Sequence, residues 1–405
     1  MYKAYRFRMY PNDDQKILIE KHIGSCRFVW NHFLDIRNSQ YTETGKGMTY
    51  REMALLLPSL KNEYQWLNEI NSQSIQQVLM HLDSAFHGFF KKITRYPRFK
   101  KKRNSGSGSF SVPQHFSIDG NHLTIPKFKA PLRLIMHREI QGTMHSLTIS
   151  KTGSGKYYVS ILSETQNEIP ESREIKPSTT VSMDVGITEF ITLSDGIQIS
   201  NPKNLKKSER KLAKRQRQMA KKQKGSNNWN RERIRVATLQ EHVANQRMDF
   251  HNRISDVLTR QYDTMITEGL NVSGMMKNHK LAKSIADAGW YSFFTMLKTK
   301  ALSRGKNTIE IGMFDPSSRM CSHCGYIYDD LKLSERTWTC LRCNTTHDRE
   351  WNAAINIKRF GLIKARVPTD SGKLTPVDTI ASTLSLLEKE GIRQVKWLKQ
   401  EAPRF

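Results

Sequence analysis

Four cysteines constrain this chain more than any other feature. Cys321, Cys324, Cys340 and Cys343 fall as C-x2-C-x15-C-x2-C, a spacing that puts each pair on a tight knuckle and suits four thiolates around one tetrahedral Zn2+. Two disulfides would need an oxidising compartment, whereas a four-thiolate site forms in a reducing one. A closed site leaves no open coordination position, so the expected zinc is structural: it folds an insert and hydrolyses nothing. The fifth cysteine, Cys26, stands among helically spaced apolar residues and reads as a small core residue. Directly after the second pair comes "HDREWNAAINI", residues 347–357, with two acids, Asp348 and Glu350, at the head of an Ala-rich helix.

Those acids have distant counterparts. Asp184 lies at the end of an apolar strand in "TVSMDVG", and Glu268 lies near the end of another in "DTMITEGLNV". Taken singly, each has an ordinary explanation: a turn residue, a solvated strand end, a helix N-cap. As a set they mean more, because an α/β sheet brings strand ends and helix starts together. Clustered carboxylates are oxygen donors for hard cations, and two such ions about 4 Å apart can activate a water and stabilise the leaving oxygen of a phosphodiester. At this level either Asp348 or Glu350 can supply the third acid.

The charge balance names the partner class. A net charge of +27 over 405 residues calls for a strongly anionic partner, nucleic acid before a membrane surface. No run approaches the roughly 18 apolar residues of a membrane span, and "MYKAYRFRMYP" lacks the apolar core of a signal peptide, so a cytoplasmic protein without membrane contact is expected. The positive charge is concentrated in two places. In "YPRFKKKR" the aromatics Tyr96 and Phe99 alternate with Arg98, Lys100, Lys101, Lys102 and Arg103, and a polar helical segment over 203–235, interrupted at "GSNNWN", carries Lys206, Lys207, Lys211 and Lys214. Either could be a solvated face. The excess of one sign is too large for self-pairing, however, and mixed basic and aromatic residues grip phosphates and bases.

Around these sites the pattern changes along the chain. Residues 1–10 alternate as a strand, 11 to about 93 read as helical from a start at Pro11-Asn12, and 110 to about 165 hold short strands with turn signals, as in a small β-barrel or sandwich. A connector, "ETQNEIPESREIKPS", leads into a hairpin and then helix–strand alternation, with one helix expected over "ADAGWYSFFTMLKTKALSRG". Beyond Gly361 no motif stands out, and the last residues are expected to form a mobile tail.

The stretches "YRFRMYPNDDQ", "SCRFVWNHFL", "YPRFKKKR", "SMDVGITEFITLSDG", "SIADAGW", "CSHCG", "TWTCLRC" and "HDREWNAAINI", in this order, give a chain that resembles TnpB over residues 4–360. TnpB is the family of transposon-encoded, RNA-guided DNA nucleases related to type V CRISPR effectors. The resemblance implies a multidomain α/β protein: a β-barrel wedge of OB type at 1–10 and 95–172, a helical recognition domain at 11–94, an RNase H-like RuvC nuclease domain at 173–315 and 347–361, a zinc ribbon insert at 316–346, and a tail at 362–405. It also implies a guide RNA from the transposon end, a double-stranded DNA target beside a short motif, catalytic Mg2+, and a monomeric ribonucleoprotein.

Carried onto this sequence, the resemblance makes Asp184 the first RuvC acid, Glu268 the second and Glu350 the third. The usual pattern is HDRD-x-NAA, so this chain has Glu where the family has Asp. One methylene moves a carboxylate by about 1.5 Å, against a tolerance of roughly 0.5 Å in catalytic constellations. A nuclease-dead, RNA-guided DNA-binding protein is therefore the alternative expectation. A DDE-type transposase, with a similar sheet and acidic triad, is a further one, disfavoured by the zinc ribbon immediately before the third acid. Asp348 is then expected to be the helix N-cap, and Glu350, inside the first turn, the metal ligand whose ionised form the helix dipole favours. Tyr50, Gln73 and Gln76 fall in the region of the family's recognition lobe that meets duplex DNA.

Overall fold

The computed structural model describes residues 1–102, 106–166, 168–332, 334–367 and 377–398. They form two compact units, the first comprising 1–168 with 215–238, the second 169–214 and the described residues from 239 onward.

The first unit opens with strand β1 (Tyr2–Tyr10), followed by helices α1 (Asp13–Thr44), α2 (Tyr50–Glu63) and α3 (Ser72–Phe90). The start of α1 is set by a capping box: the Asn12 side chain accepts from Gln15 N at 2.8 Å, and the Gln15 side chain accepts from Asn12 N at 3.0 Å. Six strands follow, β2 (Gly108–Val112), β3 (Ser117–Asp119), β4 (His122–Thr124), β5 (Leu132–Ile135), β6 (Thr143–Lys151) and β7 (Tyr157–Glu164). The sheet runs β2-β6-β7-β1-β5-β4-β3, antiparallel throughout. The chain's first strand thus lies inside the sheet, where Tyr5, Phe7 and Met9 are buried. These residues share one core with Ile19, Val29 and Phe33 of α1 and Leu79 and Leu82 of α3, so helices and sheet pack as a single body. Residues 215–238, read from sequence as part of the 173–315 segment, fold with this unit instead. There Val236 is buried and Arg233 Nη1 donates to Gly153 O at 3.1 Å.

The second unit starts with β8 (Thr180–Val185), β9 (Glu189–Leu193) and β10 (Ile197–Ser200), then the basic helices α4 (Asn204–Ala220) and α5 (Asn227–Gln261), apart from their residues within 215–238, which belong to the first unit. Next come β11 (Thr264–Thr267), α6 (Val272–Met275), α7 (Ala282–Ala288), α8 (Trp290–Ser303) and β12 (Asn307–Glu310). The helix expected over 286–305 is broken because Gly289 takes φ +66°, a left-handed turn that glycine adopts without strain. A small hairpin, β13 (Thr337–Thr339) with β14 (Thr346–Asp348), leads into α9 (Arg349–Lys364), α10 (Val377–Lys389) and β15 (Val395–Trp397).

The main sheet runs β12-β11-β8-β9-β10-β15, with β8, β11 and β12 parallel and the remainder antiparallel. One core joins β8, β9 and β10 to Ile254, Val257 and Leu258 of α5 and to Trp290, Phe293 and Leu297 of α8. Helix α9 packs close to the sheet: Ser182 Oγ donates to Ala354 O at 2.5 Å, and a Cβ on Gly361 would lie 2.4 Å from Ile266 Cγ2. The Ala-rich sequence of α9 follows from that proximity.

Of the mobile tail expected beyond Gly361, the described residues form regular structure. Helix α9 continues to Lys364, and residues 377–398 supply α10 and β15. Ile380 and Leu387 are buried in the unit's core, and β15 pairs with β10, giving that strand a partner. Sequence reasoning missed the segment because it carries core-filling residues and no chemical motif.

Candidate active site

The parallel pairing of β8 and β11 sets Thr267 opposite Met183, so the next residues, Asp184 near the end of β8 and Glu268 just past β11, come to the same end of the sheet. The first turn of α9 brings Glu350 to this end. All three carboxylates line one cavity of about 520 Å³, together with Asp315, Ser317, Arg336 and Arg349. The turn after Asp184 needs Gly186, because a Cβ there would lie 2.7 Å from Glu189 O.

Burial dominates the electrostatics. It raises the Asp184 carboxyl well above the ordinary range, and the charges of Glu268 and Glu350 add to the effect. Burial raises Glu268 too, opposed by Ser317 Oγ, which donates to Glu268 Oε1 at 2.6 Å. Glu350 is raised by burial against the pull of Arg336, whose Nη1 donates to Glu350 Oε1 at 2.8 Å. Asp348 has another partner: it accepts from Trp351 N at 2.8 Å and caps α9. Buried carboxylates that repel one another are the donor chemistry a hard cation would neutralise. Among the described residues, only the four cysteines already gather three or more acidic, His or Cys ligand atoms within 4.8 Å of one another.

The cysteines form two matching knuckles. Cys321 N donates to Tyr326 O at 2.8 Å and Gly325 N donates to Cys321 O at 2.9 Å; the bonds from Cys340 N to Thr345 O and from Asn344 N to Cys340 O repeat the pattern. The last residue of each turn, Gly325 or Asn344, is left-handed, as residue types that tolerate that region should be. Sulfur separations of 3.6 Å, Cys321 to Cys343 and Cys324 to Cys340, approach the edge of about 3.8 Å that follows from tetrahedral Zn–S bonds. The donor set therefore fits zinc.

The remaining sequence-derived residues are distributed between the units. In the first, Tyr50 opens α2 and Gln73 and Gln76 lie in the first turns of α3. Tyr96 donates to Asn38 Oδ1 at 2.6 Å, and Arg98 O accepts from Trp30 Nε1 at 3.0 Å. Lys100 lies with its ammonium 3.6 Å from the centre of the Trp30 ring and exchanges two hydrogen bonds with Asn31. Its strap is thus anchored on α1, while Phe99, Lys101 and Lys102 are exposed; Arg103 lies outside the described residues. In the second unit, Lys206, Lys207, Lys211 and Lys214 lie on α4, a helix with no buried residue.

Arg336, Arg349, Asp315 and Ser317 escaped sequence reasoning. Arg349 stands between the two acids of "HDRE", and Ser317 lies four residues before Cys321, but only the fold turns either toward the carboxylates.

Three family models match the chain: "Probable transposase" over residues 160–279, "Cas12f1-like, TNB domain" over 290–357 and "Helix-turn-helix domain" over 1–46. A protein of Streptomyces pristinaespiralis named "Putative RNA-guided DNA endonuclease" is 34% identical over 366 residues, 89% of each chain. The chain belongs to the TnpB family. The "Putative RNA-guided DNA endonuclease InsQ" of Escherichia coli (strain K12) is 31% identical over 379 residues, covering 89% of this chain and 92% of InsQ. In fold, this TnpB-family chain is similar to the protein in a solved Cas12f1–sgRNA–target DNA complex, with TM-score 0.52 and 13% identity over 88% of this chain and 98% of that one. The mixed α/β architecture and the zinc-ribbon-like cysteine group are consistent with that likeness.

Proposed function

We propose that this protein is the RNA-guided DNA endonuclease of a transposon, hydrolysing phosphodiester bonds at Asp184, Glu268 and Glu350. The observation that carries the reading is the meeting of these three distant carboxylates in one buried cavity. The strand order β10-β9-β8-β11-β12, with its antiparallel and parallel halves, supports an RNase H-like, RuvC-type nuclease domain. The cysteine module is its zinc ribbon. By the same reading, 11–94 is the recognition region and 1–10 with 95–172 the wedge.

Bound Mg2+ would supply Lewis-acid stabilisation and an activated water. The chain's own groups do the rest. Asp184, Glu268 and Glu350 would hold the cation, and Ser317 orients Glu268 through its hydrogen bond. Arg336 and Arg349 put positive charge beside the position of the scissile phosphate. The guide RNA, made from the transposon end, would occupy the basic surfaces of "YPRFKKKR" and α4, with Tyr50, Gln73 and Gln76 facing the duplex next to the target. The particle would be a cytoplasmic, monomeric ribonucleoprotein; no described helix is long and apolar enough to cross a membrane.

Glu350, in place of the family's Asp and paired with Arg336, motivates a second reading: a protein that occupies DNA under RNA guidance without cutting it. Incubating the purified protein and its copurified RNA with a matching plasmid and Mg2+ separates the readings. Cleavage supports the endonuclease, binding without cleavage supports the second reading, and strand joining would identify a DDE-type transposase.

A further inference from the structure

A second cleft lies in the first unit. Its volume is about 430 Å³, and it is lined by one face of α1 and by the short 3-10 turn Gln65–Glu69. Lys21, Gly24 and Phe28 follow at the i, i+3, i+7 spacing of a single helix face. Opposite them stand Trp66 and Glu69, and Arg27 completes the wall.

Three features of this cleft lack an explanation in the fold. Trp66 is 41% exposed, yet its ring is held by edge contacts from Phe28 at 5.1 Å and Tyr64 at 6.2 Å, so an aromatic surface is fixed while open to solvent. Gly24 sits inside a 32-residue helix, where glycine is unfavourable relative to alanine. Packing does not demand it: a Cβ at that position would meet only Arg27 Nη2, at an ordinary 3.9 Å. Finally, Lys21 and Glu69 pair across the cleft, giving it a donor and an acceptor beside the aromatic rings.

We propose that this cleft holds one unpaired nucleotide of a bound strand. Its base stacks on the open face of Trp66, as bases do in single-strand grooves, and the ring of Phe28, inclined at 64° to the indole, packs against the edge of the base. Lys21 and Arg27 face the phosphate. Glu69, an acceptor when ionised, selects a base with an exocyclic amino group on its pairing edge, cytosine, adenine or guanine, over uracil or thymine. The missing side chain at Gly24 leaves room for the base, which accounts for a glycine that helix stability and packing do not require. The inference rests on the reading that this protein binds nucleic acid, and not on cleavage.

Ultraviolet cross-linking tests it. The purified ribonucleoprotein, alone and with a matching DNA duplex, is irradiated, digested with nucleases and trypsin, and mapped by peptide mass. A cytidylate, adenylate or guanylate adduct on Phe28 or Trp66 is expected; its ribose or deoxyribose tells whether the strand is RNA or DNA. Trp66→Ala removes the stacking surface and Gly24→Leu fills the cleft from an exposed helix face. Each should lower adduct yield roughly tenfold, and Trp66→Phe should keep most of it. Gly24→Ala should raise the melting temperature. Adducts confined to other peptides, only uridylate or thymidylate adducts here, or an undiminished yield in Gly24→Leu would each overturn the proposal. If RNA copurifies and DNA is cut in those same preparations, the proposed function survives that failure; a protein that retains no nucleic acid loses both.

Discussion

Arg336 Nη1 donates to Glu350 Oε1 at 2.8 Å, so a residue of the cysteine module holds the third carboxylate of the cavity. The Arg336 side chain is 64% exposed, and an exposed pair contributes under about 1 kcal/mol to stability. Its consequence lies in competition, since a cation that takes Glu350 as a ligand must displace the guanidinium. Arg336→Ala should leave the melting temperature nearly unchanged and lower the Mg2+ concentration needed for half-maximal cleavage. A Mg2+ titration of both proteins decides it; superimposable curves mean that the guanidinium does not compete.

The two acids of "HDRE" should separate by readout. Glu350→Ala should abolish DNA cleavage while RNA and target binding persist. Glu350→Asp, which restores the family's residue, should retain cutting. Asp348→Ala removes the cap that accepts from Trp351 N and should cost about 1 kcal/mol of stability, with much of the activity kept. An inactive Asp348→Ala beside an active Glu350→Ala would reverse the assignment.

The cysteine module is tied directly to α9. Ser322 N donates to Asn352 Oδ1 at 2.9 Å, and both Asn352 Nδ2 and Asn356 Nδ2 donate to Met320 O, at 2.8 and 2.6 Å. A zinc ion held by the four cysteines would therefore fix the first turn of α9 and, with it, Glu350. Metal analysis should return about one tightly held zinc per chain, and Cys340→Ser should lose both zinc and cleavage. Zinc-free protein of normal stability and activity would refute this.

What could be read from the sequence follows from how local each signal is. The cysteine spacing, the Asn12 cap and the apolar run of β8 are encoded within a few residues of where they act, and each has its structural counterpart. Asp184, Glu268 and the pair Asp348 and Glu350 are legible as strand ends and a helix start, and the family resemblance singles out Glu350, but the cavity that Asp184, Glu268 and Glu350 share depends on parallel pairing across some 80 residues of chain between β8 and β11. Arg336 was illegible for that reason, since its partner is chosen by how the insert folds back. Residues 377–398 are illegible for another reason: Leu387 and Val395 look like any apolar residues until the unit's core is seen to take the first and the edge of β10 to pair with the second.

The lysines of α4 predict a salt dependence. If Lys206, Lys207, Lys211 and Lys214 neutralise phosphates of a bound RNA, replacing all four by Ala should flatten the plot of log affinity against log salt, by about 0.7 for each phosphate left without its lysine. Filter binding across a salt series measures the slope. An unchanged slope would mean that this face of α4 is only solvated.

Two buried histidines give the fold an acid limit. His22 Nε2 accepts from Asn71 N at 3.1 Å, which leaves Nδ1–H to donate to Leu18 O at 2.8 Å, so the ring is neutral with both nitrogens used. Burial lowers its pKa to about 4, and that of His251 to about 4 as well, through the same cause. An unfolded histidine binds its proton near pH 6.5, before the folded one can. Stability is thus fully present above pH 6.5 and lost progressively as the pH falls toward 4, by roughly 3 kcal/mol for each ring. Urea midpoints between pH 7 and pH 4 should show this decline, and His22→Gln, which cannot take up a proton, should remove about half of it. If the wild type and His22→Gln lose stability in parallel across that range, His22 is not the group that responds.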